Sequence, residues 1–276
     1  MKIYIDQVLP IYFSIFQEEA IRMICKSQKM LKRTIEKKRS SYQKVKKPSE
    51  KPSEKSSEDK NAIVPLLRAN DLKGIQKLVE EHPHVLAKQI DYDTPVSYAT
   101  QICTLEIVKY LIEASKNQGL RMNRMTEYHG VSEGGQTDLD RAIQLLKHDV
   151  VLALLSSKAD PNFISNMPWT EVVKAPYLIK AALRLRRHRQ EFEIASISKI
   201  MEYLIEYDAN INATYTFPGD TEGFTALDVV ISDYYNQLPL AKLLLQKGAT
   251  VCNMKRAISQ EMLDLLAEYG FYKKDD

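Results

Sequence analysis

The amino-acid sequence predicts an all-α repeat solenoid of about five to six helix pairs, preceded by an N-terminal helix and a disordered linker. Three observations carry that expectation. After residue 62 the chain reads as short helices whose opening and closing signals return in one frame. The second helix of each unit bears an apolar stripe that one helix pair cannot bury alone. The stretch before the units, "SSYQKVKKPSEKPSEKSSEDKN" at residues 40–61, holds Val45 as its only aliphatic residue and Tyr42 as its only aromatic. Such a segment buries too little apolar surface to offset the entropy of ordering, so it is read as a linker.

The N-terminal segment, residues 1–39, comes first. Pro10 suits the first turn of a helix that extends to about Arg39. Its early part is apolar, with Ile11, Tyr12, Phe13, Ile15 and Phe16. Its later part is basic, from Lys26 to Arg39. The simpler reading is a helix that packs on the main body. The alternative is a membrane-tethered scaffold, with residues 3–39 drawn to anionic lipid. No apolar run reaches membrane-spanning length; the single Lys2 is a weak charged start and no small-residue cleavage site follows, so a secretory signal is not expected. Residues 1–60 carry 15 Lys/Arg against 8 Asp/Glu, whereas the remainder carries 24 against 28. The basic character therefore belongs to the N-terminal segment, and the acidic balance of the main body disfavours nucleic acid as a partner.

The repeat region is expected over residues 62–273. Its first unit is "AIVPLLRANDLKGIQKLVEEHPHVL", with Leu72 set against Leu105 of the next. The second unit opens at Thr94-Pro95 in "DTPVSYAT" and closes with "LEIVKYLIE". The third opens at Thr137 in "TDLDRAIQLL" and ends in "VVLALLSSKADPN". The fourth opens at Ala175-Pro176 in "APYLIKAAL" and ends in "MEYLIEYDANIN". The fifth opens at Thr225 in "GFTALDVVI" and ends in "LAKLLLQKGATV". The final segment, "CNMKRAISQEMLDLLAEYGFYKK", reads as a capping unit. Thr94, Thr137 and Thr225 are placed to cap orphan helix amides, and Pro95 suits a first helical position. Ala99, Ala142, Ala181 and Ala182 let first helices lie close together. Ile107, Val108 and Leu111, and later Leu154, Leu155, Leu204 and Leu244, form the stripe. Each such buried side chain contributes about 1.5–3 kcal/mol.

These units resemble ankyrin repeats. The family pattern is a Thr-Pro opening, a small-residue first helix, a polar turn, and an I-V-x-L-L second helix ending in G-A-D/N-x-N. The resemblance implies a protein–protein interaction module without intrinsic chemistry, whose concave face of fingers and first helices is the usual binding surface. Departures are clear. The fourth residue of the opening is Ser97, Asp140, Leu178 or Asp228 and never His, so the contacts that His would make between repeats are expected to be missing or replaced. From Pro176 to Ala209 the chain runs 33 residues where the third unit needs 21, an insertion of about 12 around "RLRRHRQEFEIA". Residues 116–136 form a long connection where a finger belongs. Lys, Ile and Tyr richness, few glycines and eroded repeats are similar to ankyrin effectors of intracellular bacteria. The C-terminal "EMLDLLAEYGFYKKDD" looks somewhat like a type IV translocation signal. That likeness implies a protein cytoplasmic in its producing cell and delivered to a host protein without a cleavable signal peptide.

Reactive constellations are sparse. Cys25, Cys103 and Cys252 lie far apart with no CxxC pair, which argues against a disulfide framework and structural zinc. "HGVSEGGQ", residues 129–136, lacks GxGxxG and a phosphate-binding Lys. His82 and His84 have no further ligands nearby in sequence, and nothing orients a third group towards Cys103 and His129. No catalytic, cofactor-binding or metal-binding residues are therefore expected. An enzyme with its residues in the 116–136 and 184–196 insertions is the rival reading. The partner-binding candidates are the aromatics expected at or beside finger tips, Tyr92, Trp169, Tyr215, Phe217 and Phe224. Arg184, Arg186 and Arg187 join them, because arginine forks grip carboxylates.

Overall fold

In the computed structural model, residues 62–126, 135–165, 174–188, 190–216, 221–232, 237–253 and 259–271 are described. All lie within one compact unit, Glu54–Asp276. The expected N-terminal helix, the linker, Trp169, Phe217 and His129 fall outside the described residues.

Helices come in pairs. The first is α1 (Ile63–Arg68) with α2 (Leu72–Glu81), followed by a 3-10 turn at Pro83–Ala87. The second is α3 (Pro95–Ile102) with α4 (Leu105–Asn117), and the third is α5 (Asp138–Gln144) with α6 (His148–Ser156). The fourth is α7 (Tyr177–Leu183) with α8 (Glu191–Glu206), joined through a 3-10 turn at Arg184–Arg186. The fifth is α9 (Ala226–Ile231) with α10 (Leu238–Gln246), and α11 (Gln260–Glu268) closes the array. First helices pack in sequence, α1 on α3, α3 on α5, α5 on α7 and α7 on α9. Behind them α4 packs on α6 and α6 on α8. No β-strand occurs among the described residues, only isolated bridges at Ile90–Asp93 and Tyr215–Phe224.

Local chemistry explains the helix starts. Thr94, Thr137 and Thr225 each accept a hydrogen bond from the backbone N–H three residues on. At Thr137 and Thr225 the third helical residue, Asp140 or Asp228, reaches back to the cap's own N–H and completes a capping box. The fourth unit differs from the expected register. Its cap is Pro176, so Ile179 and not Leu178 occupies the fourth place. The apolar stripe fuses the units into one core, with Leu111, Leu154, Leu204 and Leu244 all fully buried.

Asparagines tie the finger bases. Asn123 accepts from Asp160 N and donates to Asp160 O; Asn162 accepts from Asn210 N and donates to Asp208 O; Asn212 accepts from Thr250 N and donates to Gly248 O. Each amide thus satisfies backbone groups of the following unit. Second helices close through a residue with positive φ just before an alanine, namely Lys158 (+70°), Asp208 (+67°) and Gly248 (+89°). Lysine in the left-handed region crowds its Cβ, a cost of about 1–2 kcal/mol that glycine avoids. Lys158→Gly should therefore raise the urea-unfolding free energy by about 0.5–1 kcal/mol after the greater unfolded-state entropy of glycine is subtracted. An unchanged or lower value would show that Lys158 is not strained.

Candidate functional site

Polar side chains between the units are occupied structurally. Asp138 is buried and accepts hydrogen bonds from the Thr94 and Ser97 hydroxyls of the preceding unit. Burial pushes its carboxyl up from the usual range, opposed by those hydroxyls and by the charge of Arg124. Lys180 Nζ lies 2.8 Å from Asp140 Oδ1 and also donates to Ser165 Oγ. Tyr177 and Thr137 hydroxyls meet at 2.8 Å, and Asp228 Oδ1 accepts from Cys252 N and Asn253 N. Contacts that the missing histidines would have made are thus replaced by carboxylates, hydroxyls and one buried ammonium.

The two insertions are largely built into the solenoid where they are described. In residues 116–136, Met122 is buried, Arg124 Nη2 donates to Leu86 O, and Thr126 N donates to Gln136 O. A Cβ at Gly135 would sit 2.1 Å from Thr126 O, so that close approach requires glycine. In residues 184–196, α8 begins at Glu191 and outlasts the second helices α6 and α10. The extra residues extend a helix through its N-terminus and do not form a separate flap. Arg184 Nη2 donates to Gln144 O of the third unit and approaches His188 Nε2, whose Nδ1 lies 2.8 Å from Glu193 Oε1.

Cys103 occupies the turn between α3 and α4, and its thiol donates to Leu67 O. Burial pushes that thiol up to about 11, which leaves it protonated near neutral pH and a poor nucleophile. His82 and His84 contact each other edge to face. Among the described residues no group of three or more His, Cys, Asp or Glu side chains could hold a metal ion.

The sequence-selected binding candidates separate. Tyr92 is exposed at 39% beside the Ile90–Asp93 bridge. Phe224 is corrected: it is 8% exposed and belongs to the core. It pairs through both backbone bonds with the half-buried Tyr215, and their rings meet edge to face at 5.8 Å. Arg187 is exposed, whereas Arg184 is half-buried. Arg186 belongs to the 3-10 turn. Sequence reasoning missed Ile102, Leu145 and Phe192, exposed at 44%, 37% and 68%. Phe192 had a legible signal, an aromatic in the polar run "RHRQEFE".

No protein-family model matches the chain, and no curated protein matches it. Among solved structures, the human ASB11 ankyrin repeat domain aligns over 76% of this chain and 84% of its own, with a TM-score of 0.51 at 21% identity. The fold is an ankyrin-repeat solenoid. Its first helices form the inner ankyrin layer and its second helices the outer one. No described helix is long and apolar enough to cross a membrane.

Proposed function

We propose that this ankyrin-repeat chain is a protein-binding module and acts by capture without catalysing a reaction. The observation that carries the reading is the exposure of Tyr92 and Ile102 on the second unit and of Leu145 on the third, at a finger and at the ends of the first helices. Exposed apolar and aromatic side chains on a rigid scaffold are what a partner can desolvate. Among the described residues, the buried Asp140, Lys180 and Asp228 are engaged in capping or inter-unit bonds.

Affinity capture with the full chain as bait, followed by mass spectrometry, tests this. A specific protein should be recovered. Trp169→Ala combined with Phe217→Ala should weaken its binding by about 2 kcal/mol, the scale of a hot spot, while Cys103→Ser leaves it unchanged. Loss of the cellular phenotype in Cys103→Ser, with folding and capture intact, would instead favour an enzyme.

The finer reading is an effector that acts on a host protein after delivery from a producing cell's cytoplasm. It is supported by composition and by the C-terminal "EMLDLLAEYGFYKKDD". A translocation reporter fused to the chain should enter host cells only from donors with a working type IV apparatus. Equal entry from donors lacking it would remove this reading.

A further inference from the structure

In the second insertion, residues 184–196, a chain of polar groups runs from the third unit to the start of α8. Arg184 Nη2 donates to Gln144 O of the third unit at 2.9 Å and lies 3.1 Å from His188 Nε2. His188 Nδ1 lies 2.8 Å from Glu193 Oε1. Glu193 Oε2 accepts from Gln190 N at 3.2 Å and so closes the capping box of α8.

The direction of each bond follows from the groups involved. A guanidinium only donates, so His188 Nε2 holds a lone pair towards Arg184; a carboxylate only accepts, so Nδ1 carries the proton towards Glu193. The contacts therefore specify a neutral ring in the Nδ1–H tautomer. The two ends of the chain are held unequally. Glu193 is fixed by both the ring and the helix cap. Arg184 Nε is buried without a partner, so its guanidinium depends on Gln144 O and on the ring.

We infer that His188 is a proton-operated latch between the third and fourth units: a second proton, taken up at Nε2 from solvent, expels Arg184 and frees Gln144 O. The added N–H would face a guanidinium N–H, setting donor against donor and positive charge against positive charge. The ring cannot turn away without leaving Glu193, and protonation makes that contact a charge-assisted pair. Arg184 is therefore the member that moves. The His188 side chain is 22% exposed, which gives solvent protons access to the ring. The latch is closed above the ring's titration and open below it.

The other charges of the surrounding elements are Arg187 on the same turn and Glu191 at the start of α8, both exposed, and Lys180 on α7, buried against Asp140. Arg186 and Arg189 flank the ring in sequence. The turn after α5 brings the exposed Lys147 and then His148, whose Nε2 lies 3.4 Å from Asp149 Oδ1. As a second imidazole near Gln144, His148 is removed in a control.

Nuclear magnetic resonance of the isotope-labelled full-length chain between about pH 8 and about pH 5, the span in which imidazoles titrate, tests this. At the upper end the His188 ring should show a protonated Nδ1 and a bare Nε2. The amide nitrogen of Leu145 is bonded to the Gln144 carbonyl carbon, and its signal should shift along the same titration curve as the ring. His148→Gln should keep that shift. In Arg184→Gln the ring should still titrate while Leu145 no longer follows it, and in His188→Gln the Leu145 step should vanish. Circular dichroism should show both variants folded; should either fail to fold, the comparison of ring and amide in the His148→Gln chain still decides. An Nε2–H tautomer overturns the inference, as does a Leu145 amide indifferent to the ring's titration. A Leu145 step that survives Arg184→Gln or His188→Gln overturns it as well.

Discussion

Leu154→Asp should abolish cooperative folding of the array at physiological temperature. Leu154 lies on α6, in the middle of the solenoid, and is fully buried. Truncating a buried leucine costs about 2–5 kcal/mol, and the new carboxylate adds the cost of an uncompensated buried charge. Whole-domain stability is only about 5–15 kcal/mol. Stability in a repeat array passes between neighbours, so the lesion also separates the first two units from the last ones. The N-terminal remnant, two units, is shorter than the roughly three repeats that such arrays need. A melting midpoint lowered by about 10 °C or more, with loss of a single transition, is expected by circular dichroism. A midpoint within a degree of wild type would show that Leu154 does not sit between units.

Lys180→Met should cost about 3–5 kcal/mol, because it leaves a buried carboxylate without its counter-charge. Lys180 and Asp140 side chains are 7% and 0% exposed, with Nζ and Oδ1 at 2.8 Å. The pair joins α7 to α5, and Asp140 also closes the Thr137 capping box. Adding Asp140→Asn removes the stranded charge and keeps a carbonyl acceptor for the cap. The double variant should recover more than about 1 kcal/mol of the loss, a coupling that urea-unfolding midpoints resolve. A single-variant cost below about 1 kcal/mol would mean that water screens the pair.

The parts of this fold readable from sequence are local. Thr94, Thr137 and Thr225 announce helix starts because capping depends on a hydroxyl next to the helix. The stripe through Ile107, Leu154 and Leu204 announces burial because helical periodicity repeats it. The fourth unit slipped by one residue in the sequence reading because Pro176 caps with no hydroxyl to mark its place.

What stayed hidden depends on distant pairing. No spacing rule connects Lys180 to Asp140, or Arg184 to Gln144, which are brought together by stacking. Phe224 was misread as an exposed finger residue although it directly precedes the cap Thr225. The equivalent residues Gln136 and Ala175 are also buried, at 3% and 0%. A hydrophobic residue just before a cap packs onto the helix it introduces, and that signal was available. The arginines at 184, 186 and 187 are legible as a charged run. Ile102 and Leu145 were not, since their common position appears only once the helix caps are fixed.

Hydrogen exchange of the full chain, alone and with its captured partner, tests the central claim most directly. Binding through the inner layer predicts slowed exchange at the fingers near Tyr92 and at the ends of α3, α5 and α7, with the outer helices α4 and α6 little changed. Protection confined to α4 and α6, with the first-helix ends unaltered, would contradict the account.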